Sequence, residues 1–184
     1  SFVELRRLRS VVIRSVGKLR RDNEALRRTA YEDPRTGMPN LIALEEHITQ
    51  TLPRARYEAP AALIVLDLDN FTRASERLGA LSSEALLKAC GQRMSAALDS
   101  LEGPVRNGLK ESMLAAMQAD SFALYLPIAV SRDYVSNVAR AIRLAFADPF
   151  IVAGQSVTLG ISGGIVIAPE DADTMQKLFR HAEL

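Results

Sequence analysis

The chain has no tryptophan, one cysteine and two histidines, and aromatic residues make up only 5% of its 184 positions. A single cysteine, Cys90, excludes an internal disulfide and a cysteine metal cluster, and it fits a reducing, cytoplasmic setting. His47 and His181 stand alone in the sequence and read as surface or internally satisfied side chains. No apolar run approaches the roughly 18 residues that a membrane span requires, and no signal-peptide pattern is present, although the parent protein could still be tethered to a membrane. Internal repeats and low-complexity tracts are also missing. What is there is an ordinary globular balance, 48% apolar and 24% charged, on a chain long enough for one compact domain plus an appendage.

The net charge of +1 hides an asymmetry. Residues 1–30 carry nine Lys/Arg against three acids, a balance of +6, while the rest carries 14 against 19, a balance of −5. Leu5, Leu8, Val12, Ser15, Leu19, Asp22, Leu26 and Thr29 alternate spacings of three and four, with Arg and Lys between them. This is an a/d seam over residues 1–30, interrupted at Ser15, Asp22 and Thr29. Two readings stand, a solvated amphipathic helix and a parallel coiled-coil stalk that makes a homodimer. A nucleic-acid or lipid arm is disfavoured, because no aromatic residues interleave the charges.

Pro34, Gly37 and Pro39 break this helix, and Asn40 is placed to cap a second one running through about Thr51. "AALIVLDLDNF" reads as a buried strand ending on two acids. "SSEALLKACGQRMSAALDSL" reads as a helix capped by Ser82 or Ser83, with Cys90 in its apolar pattern. "SMLAAMQADSFALYLP" supplies two strands around a polar bend, which lacks the Gly or Asn that a tight hairpin wants. "RDYVSNVARAIRLAFA" is another helix. "VTLGISGGIVIAP" is a strand whose glycines imply a bulge or a close backbone approach, and "DADTMQKLFRHAEL" begins a last helix that the chain end cuts short. The order predicts an α+β fold with a βαββαβ core and helices on one face of the sheet.

Asp67 and Asp69 alternate around Leu68 and so share one face at the end of the first core strand. In a split βαββαβ sheet the middle hairpin lies beside that strand, which brings Asp120 toward Asp67. Two converging carboxylates suit Mg²⁺ and nucleotide phosphates. The alternative is two acids that merely end a strand at the surface. A phosphoaspartate hydrolase is a poor fit, because Phe71 stands where its D-x-D motif continues with Thr or Val. A receiver domain lacks the hairpin.

Four segments in this order resemble the GGDEF domain of diguanylate cyclases, which condenses two GTP into cyclic di-GMP. "DPRTGMPN" is similar to the family's D-x-L-T-G-L-P-N, and "LDLDNFTRASERLGALSSEALL" to its D-x-D-x-F-K-x-x-N-D-x-x-G-H-x-x-G-D. "QADSF" stands for GGDEF itself and "ISGGIVIA" for its S-x-G strand. The resemblance implies a palm-like nucleotidyl-cyclase sheet flanked by helices over residues 31–184, preceded by a linker helix over residues 1–30.

Carried over residue by residue, Asp67 and Asp120 match metal-binding acids, and Phe71 keeps its place in the phosphate-cradling turn. Thr72 replaces a Lys. Ser75 and Glu84 replace the Asn and Asp that read guanine, where Ser offers one short hydroxyl and Glu displaces its carboxylate. Within the signature, Gln118 and Ala119 replace the two glycines and Ser121 the second acid, while Asp120 and Phe122 are kept. The family's product-binding R-x-x-D falls at Leu109 and Ser112, and its phosphate-contacting basic residues would lie beyond Leu184.

The expectation is a cyclase domain with no catalytic residues left, because catalytic groups act as a unit. It would dimerise through residues 1–30 and regulate an adjacent domain of the EAL phosphodiesterase or receptor type, without nucleic acid. The alternatives are an allosteric domain that binds GTP with Mg²⁺, and a weakly active cyclase.

Overall fold

The computed structural model describes residues 2–129 and 131–183. The chain forms α1 (Phe2–Tyr31), α2 (Leu41–Thr51), a 3-10 turn (Leu52–Arg54), β1 (Ala61–Asp69), α3 (Phe71–Leu78), α4 (Ala80–Asp99) and α5 (Gly103–Gly108). β2 (Met113–Ala116), β3 (Ser121–Leu126), α6 (Arg132–Ala145), β4 (Phe150–Val152), β5 (Gln155–Val157), β6 (Gly160–Ala168) and α7 (Met175–Ala182) follow. Four strands make one sheet in the order β2-β3-β1-β6, with every neighbouring pair antiparallel, and β4 and β5 form a separate two-stranded ribbon.

β1 is the reason the sheet is covered twice. Its run AALIVL is apolar on both faces, so both must be taken out of water. Ala62, Ile64, Leu66 and Leu68 join one core with Leu86, Cys90 and Met94 of α4 and Val135, Val138 and Ile142 of α6. Ala61, Leu63 and Val65 join a second core with Leu44 and Ile48 of α2 and Leu178 and Ala182 of α7. Each fully buried Leu or Ile contributes on the order of 1.5–3 kcal/mol. Helices therefore lie on both faces of the sheet, not on one as the element order suggested.

Local signals set several boundaries. Asn40 caps α2 by accepting the Ala43 N–H at 3.0 Å, as expected. Ser131 caps α6 through the Tyr134 N–H, and Thr174 caps α7 through the Lys177 N–H. The last helix thus starts at Met175 rather than Asp171, and Leu184, expected to continue it, lies outside the described residues. α4 starts at Ala80, earlier than a Ser82 or Ser83 cap would place it. Ser83 instead donates its hydroxyl back to the carbonyls of Gly79 at 2.7 Å and Ser75 at 3.2 Å. α3, α5 and the β4–β5 ribbon were not foreseen. Arg93 of α4 holds that ribbon, stacking 3.5 Å above the Phe150 ring and donating to the carbonyls of Asp148 and Pro149.

The glycines of β6 serve close approach, and its register with β1 runs unbroken from Ala168 to Gly160 without a bulge. A Cβ at Gly163 would lie 2.0 Å from the Val65 carbonyl oxygen, and one at Gly164 2.3 Å from that of Ala182. α1 is a continuous helix whose Leu5, Leu8, Val12, Leu19 and Leu26 are all more than half exposed. Among the described residues no helix is long and apolar enough to cross a membrane.

Candidate nucleotide and metal site

The candidate site lies at the end of β1. There Asp67 pairs in register with Ser121 of β3 on one side and with Ser162 of β6 on the other. Strand alternation puts Asp67 and Asp69 on the same face as Val65, as expected, and leaves Leu68 in the opposite core. Asp67 is exposed and Asp69 half-buried. Asp69 is engaged by β6: its carboxylate accepts the Ser162 hydroxyl at 2.7 Å and occupies space that a Cβ at Gly160 would need. Asn70 then adopts a left-handed conformation (φ 65°, ψ 17°) that turns the chain into α3. Phe71, at the start of α3, packs against the core beneath.

The hairpin brings Asp120 alongside, because the Leu68 N–H donates to the Asp120 carbonyl at 3.3 Å. Asp120, in the turn just before β3, is thus bonded through its backbone to the residue that follows Asp67. Among the described residues no group of three or more His, Cys, Asp or Glu side chains could hold a metal ion. Two carboxylates are fewer than the ligands a protein cage for Mg²⁺ supplies.

The bend itself is closed by the Ser121 N–H and hydroxyl, which both donate to the Gln118 carbonyl, at 3.2 and 3.0 Å. The left-handed residue it requires is Ala119, with φ 55°. An L-residue there costs roughly 1–2 kcal/mol. Arg35 compensates from outside. Its guanidinium donates to the carbonyls of Ala119 at 2.5 Å and Met117 at 2.9 Å, while its Nε donates to Asp33 at 3.1 Å. Arg35 stands where D-x-L-T-G-L-P-N has its first Leu, and that departure is the sequence signal that could have drawn attention to it.

The loop that carries Arg35 is tightly bonded. The buried Asp33 carboxylate accepts the N–H and hydroxyl of Thr36 at 3.0 and 2.9 Å, and Gly37 takes a φ of 73°. Asn40 ties the loop to the end of α1, donating to the Ala30 carbonyl from its side chain and to the Tyr31 carbonyl from its backbone. On the other side, the Ala116 N–H donates to the Pro39 carbonyl at 2.8 Å. A hydrogen-bonded path therefore joins the end of α1 to the signature hairpin.

The positions expected to read a base are dispersed in character. The Ser75 hydroxyl is buried and has no hydrogen-bond partner among the described residues, while Glu84 is exposed on α4. Leu109 and Ser112 sit near Arg106 and Lys110 in a groove of about 510 Å³ beside α5. Cys90 is fully buried in the core, and burial pushes its thiol up to about 12, so it is not a nucleophile. His47 is bonded to the Glu111 carbonyl at 2.8 Å and His181 to that of Asp171 at 3.0 Å, so both are satisfied within the fold.

The family described as "Diguanylate cyclase, GGDEF domain" matches residues 30–184. Diguanylate cyclase TpbB of Pseudomonas aeruginosa is 26% identical over 170 residues, which cover 91% of this chain and 37% of that protein. Cyclic di-GMP phosphodiesterase NbdA of the same species is 26% identical over 163 residues, 87% of this chain and 19% of NbdA. The chain thus spans well under half the length of these curated relatives. A solved structure of the coiled coil and GGDEF domain of DgcB from Caulobacter crescentus, in complex with c-di-GMP, superposes with a TM-score of 0.74. It covers 98% of this chain and 91% of that one at 18% identity, a likeness of fold.

Proposed function

Because the chain belongs to the GGDEF family of diguanylate cyclases, we propose that it is a catalytically silent member serving as a regulatory module in cyclic di-GMP signalling. The observation that carries this reading is the turn Gln118–Ser121. Side chains stand where the signature's glycines would leave room for nucleotide, and Arg35 holds the carbonyls on both sides of Gln118. Ser121 spends its hydroxyl closing the turn, where the signature's second acid would add charge to the metal region. The guanine-reading pair is replaced by a buried unpaired hydroxyl at Ser75 and an exposed Glu84. Lost matched bonds to a base cost about 1–3 kcal/mol each. A chain extended beyond Leu184, incubated with GTP and Mg²⁺, is expected to form no cyclic di-GMP. Turnover there would refute the reading.

In this role α1 supplies the dimer contact, since its apolar seam is exposed along the chain's own surface. The path through Asn40, Asp33 and Arg35 couples that helix to the hairpin, and so to whatever domain adjoins it. An EAL-type domain is the proposed neighbour, in keeping with a relative named a cyclic di-GMP phosphodiesterase of which this chain spans 19%. Sedimentation is expected to give a dimer for residues 1–184 at high concentration, and monomer alone would contradict it.

A second reading, allosteric binding of GTP with Mg²⁺, is favoured by one arrangement: Asp67 is exposed at the end of β1, and the turn that carries Asp120 is bonded to the next residue, Leu68. It requires that GTP raise the melting temperature only when Mg²⁺ is present, and that Asp67→Asn remove the effect.

A further inference from the structure

The cations of α1 are not spread evenly around the helix. Between Leu5 and Arg21 stand seven Arg or Lys and no acid. Arg6 and Arg7 directly follow the seam residue Leu5, and the pair recurs seven residues apart at Arg20 and Arg21 and at Arg27 and Arg28. In the one intervening repeat Ile13 takes the first place and Arg14 the second. At about 1.5 Å per residue this makes a stripe roughly 30 Å long. In a seven-residue repeat these places lie opposite the seam, so a second copy that covers the seam leaves the stripe open.

Every arginine of the stripe is exposed, and among the described residues no ion pair ties one to the body of the domain. Arg6 lies 5.6 Å from the Phe2 ring within the same helix, and Ile13, in line with the stripe, keeps 62% of its surface in water. Eight of the nine cations in residues 1–30 are Arg rather than Lys. The planar guanidinium matches a phosphate with two parallel hydrogen bonds, which an ammonium does not. The remainder of the chain carries −5, so an anionic surface attracts the stripe and repels the body.

We propose that the arginine stripe of α1 is a docking surface for anionic lipid headgroups, along which the stalk lies on a membrane without crossing it. Each guanidinium takes a headgroup phosphate, and Ile13 packs at the boundary beneath the headgroups. A membrane fits better than a nucleic acid for two reasons. Headgroups move freely in a fluid leaflet and can settle under each arginine of a long stripe, whereas a duplex fixes its phosphates on a curved path. The stripe also has nothing with which to read or stack bases: between Leu5 and Arg21 there is no aromatic residue, Asn or Gln. Contact through the stripe does not require that the seam be paired, because the two lie on opposite faces of the helix.

The test is co-sedimentation of the chain of residues 1–184 with vesicles of phosphatidylcholine alone, or of phosphatidylcholine and phosphatidylglycerol in equal parts. Binding is expected only to the anionic vesicles, and it should fall steeply as salt is added. The Arg20→Gln, Arg21→Gln double variant is expected to bind about thirtyfold more weakly, while Arg20→Lys, Arg21→Lys keeps most of the affinity. Glutamine is a good helix former and leaves the seam untouched, so helix and fold should survive the change. Vesicle binding by a chain that sediments as a monomer would support the stripe while refuting the dimer. Equal binding to neutral vesicles, no binding to anionic vesicles at physiological salt, undiminished binding by the glutamine variant, or tighter binding to duplex DNA at the same phosphate concentration would each overturn the proposal.

Discussion

Two turns meet beside the end of β1, the loop Asp33–Asn40 and the bend Gln118–Ser121, and they are held together in different ways. In the loop, Asp33 takes the N–H and hydroxyl of Thr36, and a glycine stands where the backbone is left-handed. In the bend, an alanine occupies the left-handed position, and two of the carbonyls are held by Arg35 from the loop. Both rest on α4: a Cβ at Gly91 would lie 2.3 Å from the Met38 sulfur and 3.3 Å from the Phe122 ring. One turn supplies its own order while the other borrows it. The lesson is that a bend with alanine at its left-handed position can keep its shape, provided that a neighbour takes up its carbonyls.

This contrast can be broken at three points. Asp33→Ala removes the acceptor that organises the loop and leaves buried donors unpaired, so a loss of about 3 kcal/mol is expected, read as a lower urea midpoint at unchanged slope. The Cys90 thiol should then become open to alkylation at pH 8 through unfolding. In the native chain, burial and a pKa pushed up to about 12 keep it unreactive. Arg35→Met takes away the bridge to Met117 and Ala119 together with the Nε bond to Asp33, and leaves the Asp33–Thr36 bonds in place. A loss of about 1.5 kcal/mol is expected, with faster amide exchange confined to the bend and none in α2. Equal loosening of the loop would show that the dependence runs both ways. Ala119→Gly relieves the left-handed strain and should raise stability by about 1 kcal/mol, a gain of about 2–4 °C in melting temperature. A loss instead would place the strain elsewhere.

Much of the fold was legible because it rests on local pattern. β1, α2 with its Asn40 cap, the β2–β3 hairpin and α6 follow from apolar runs and capping residues. α3 and α5 were missed for local reasons as well: α3 is eight residues behind a non-glycine left-handed turn, and α5, GPVRNG, is written in turn residues. β4 and β5 are three residues each, too short for alternation to register. The second helical layer was implicit in β1, whose unbroken apolar run needs cover on both faces. At the site, the placing of the Gln118–Ser121 bend beside the end of β1 followed from topology. Arg35 did not, because its partners are backbone carbonyls 82 and 84 residues away and carry no side-chain signature.

The measurement that bears most directly on the central claim, that the bend is closed to nucleotide, is calorimetric titration of GTP with Mg²⁺ into the chain of residues 1–184. The account predicts no binding heat up to millimolar GTP, in the native chain and in Arg35→Met alike, because Gln118, Ala119, Ser75 and Glu84 would still lack the matched contacts. Saturable heat in the native chain that disappears in Asp67→Asn would contradict it.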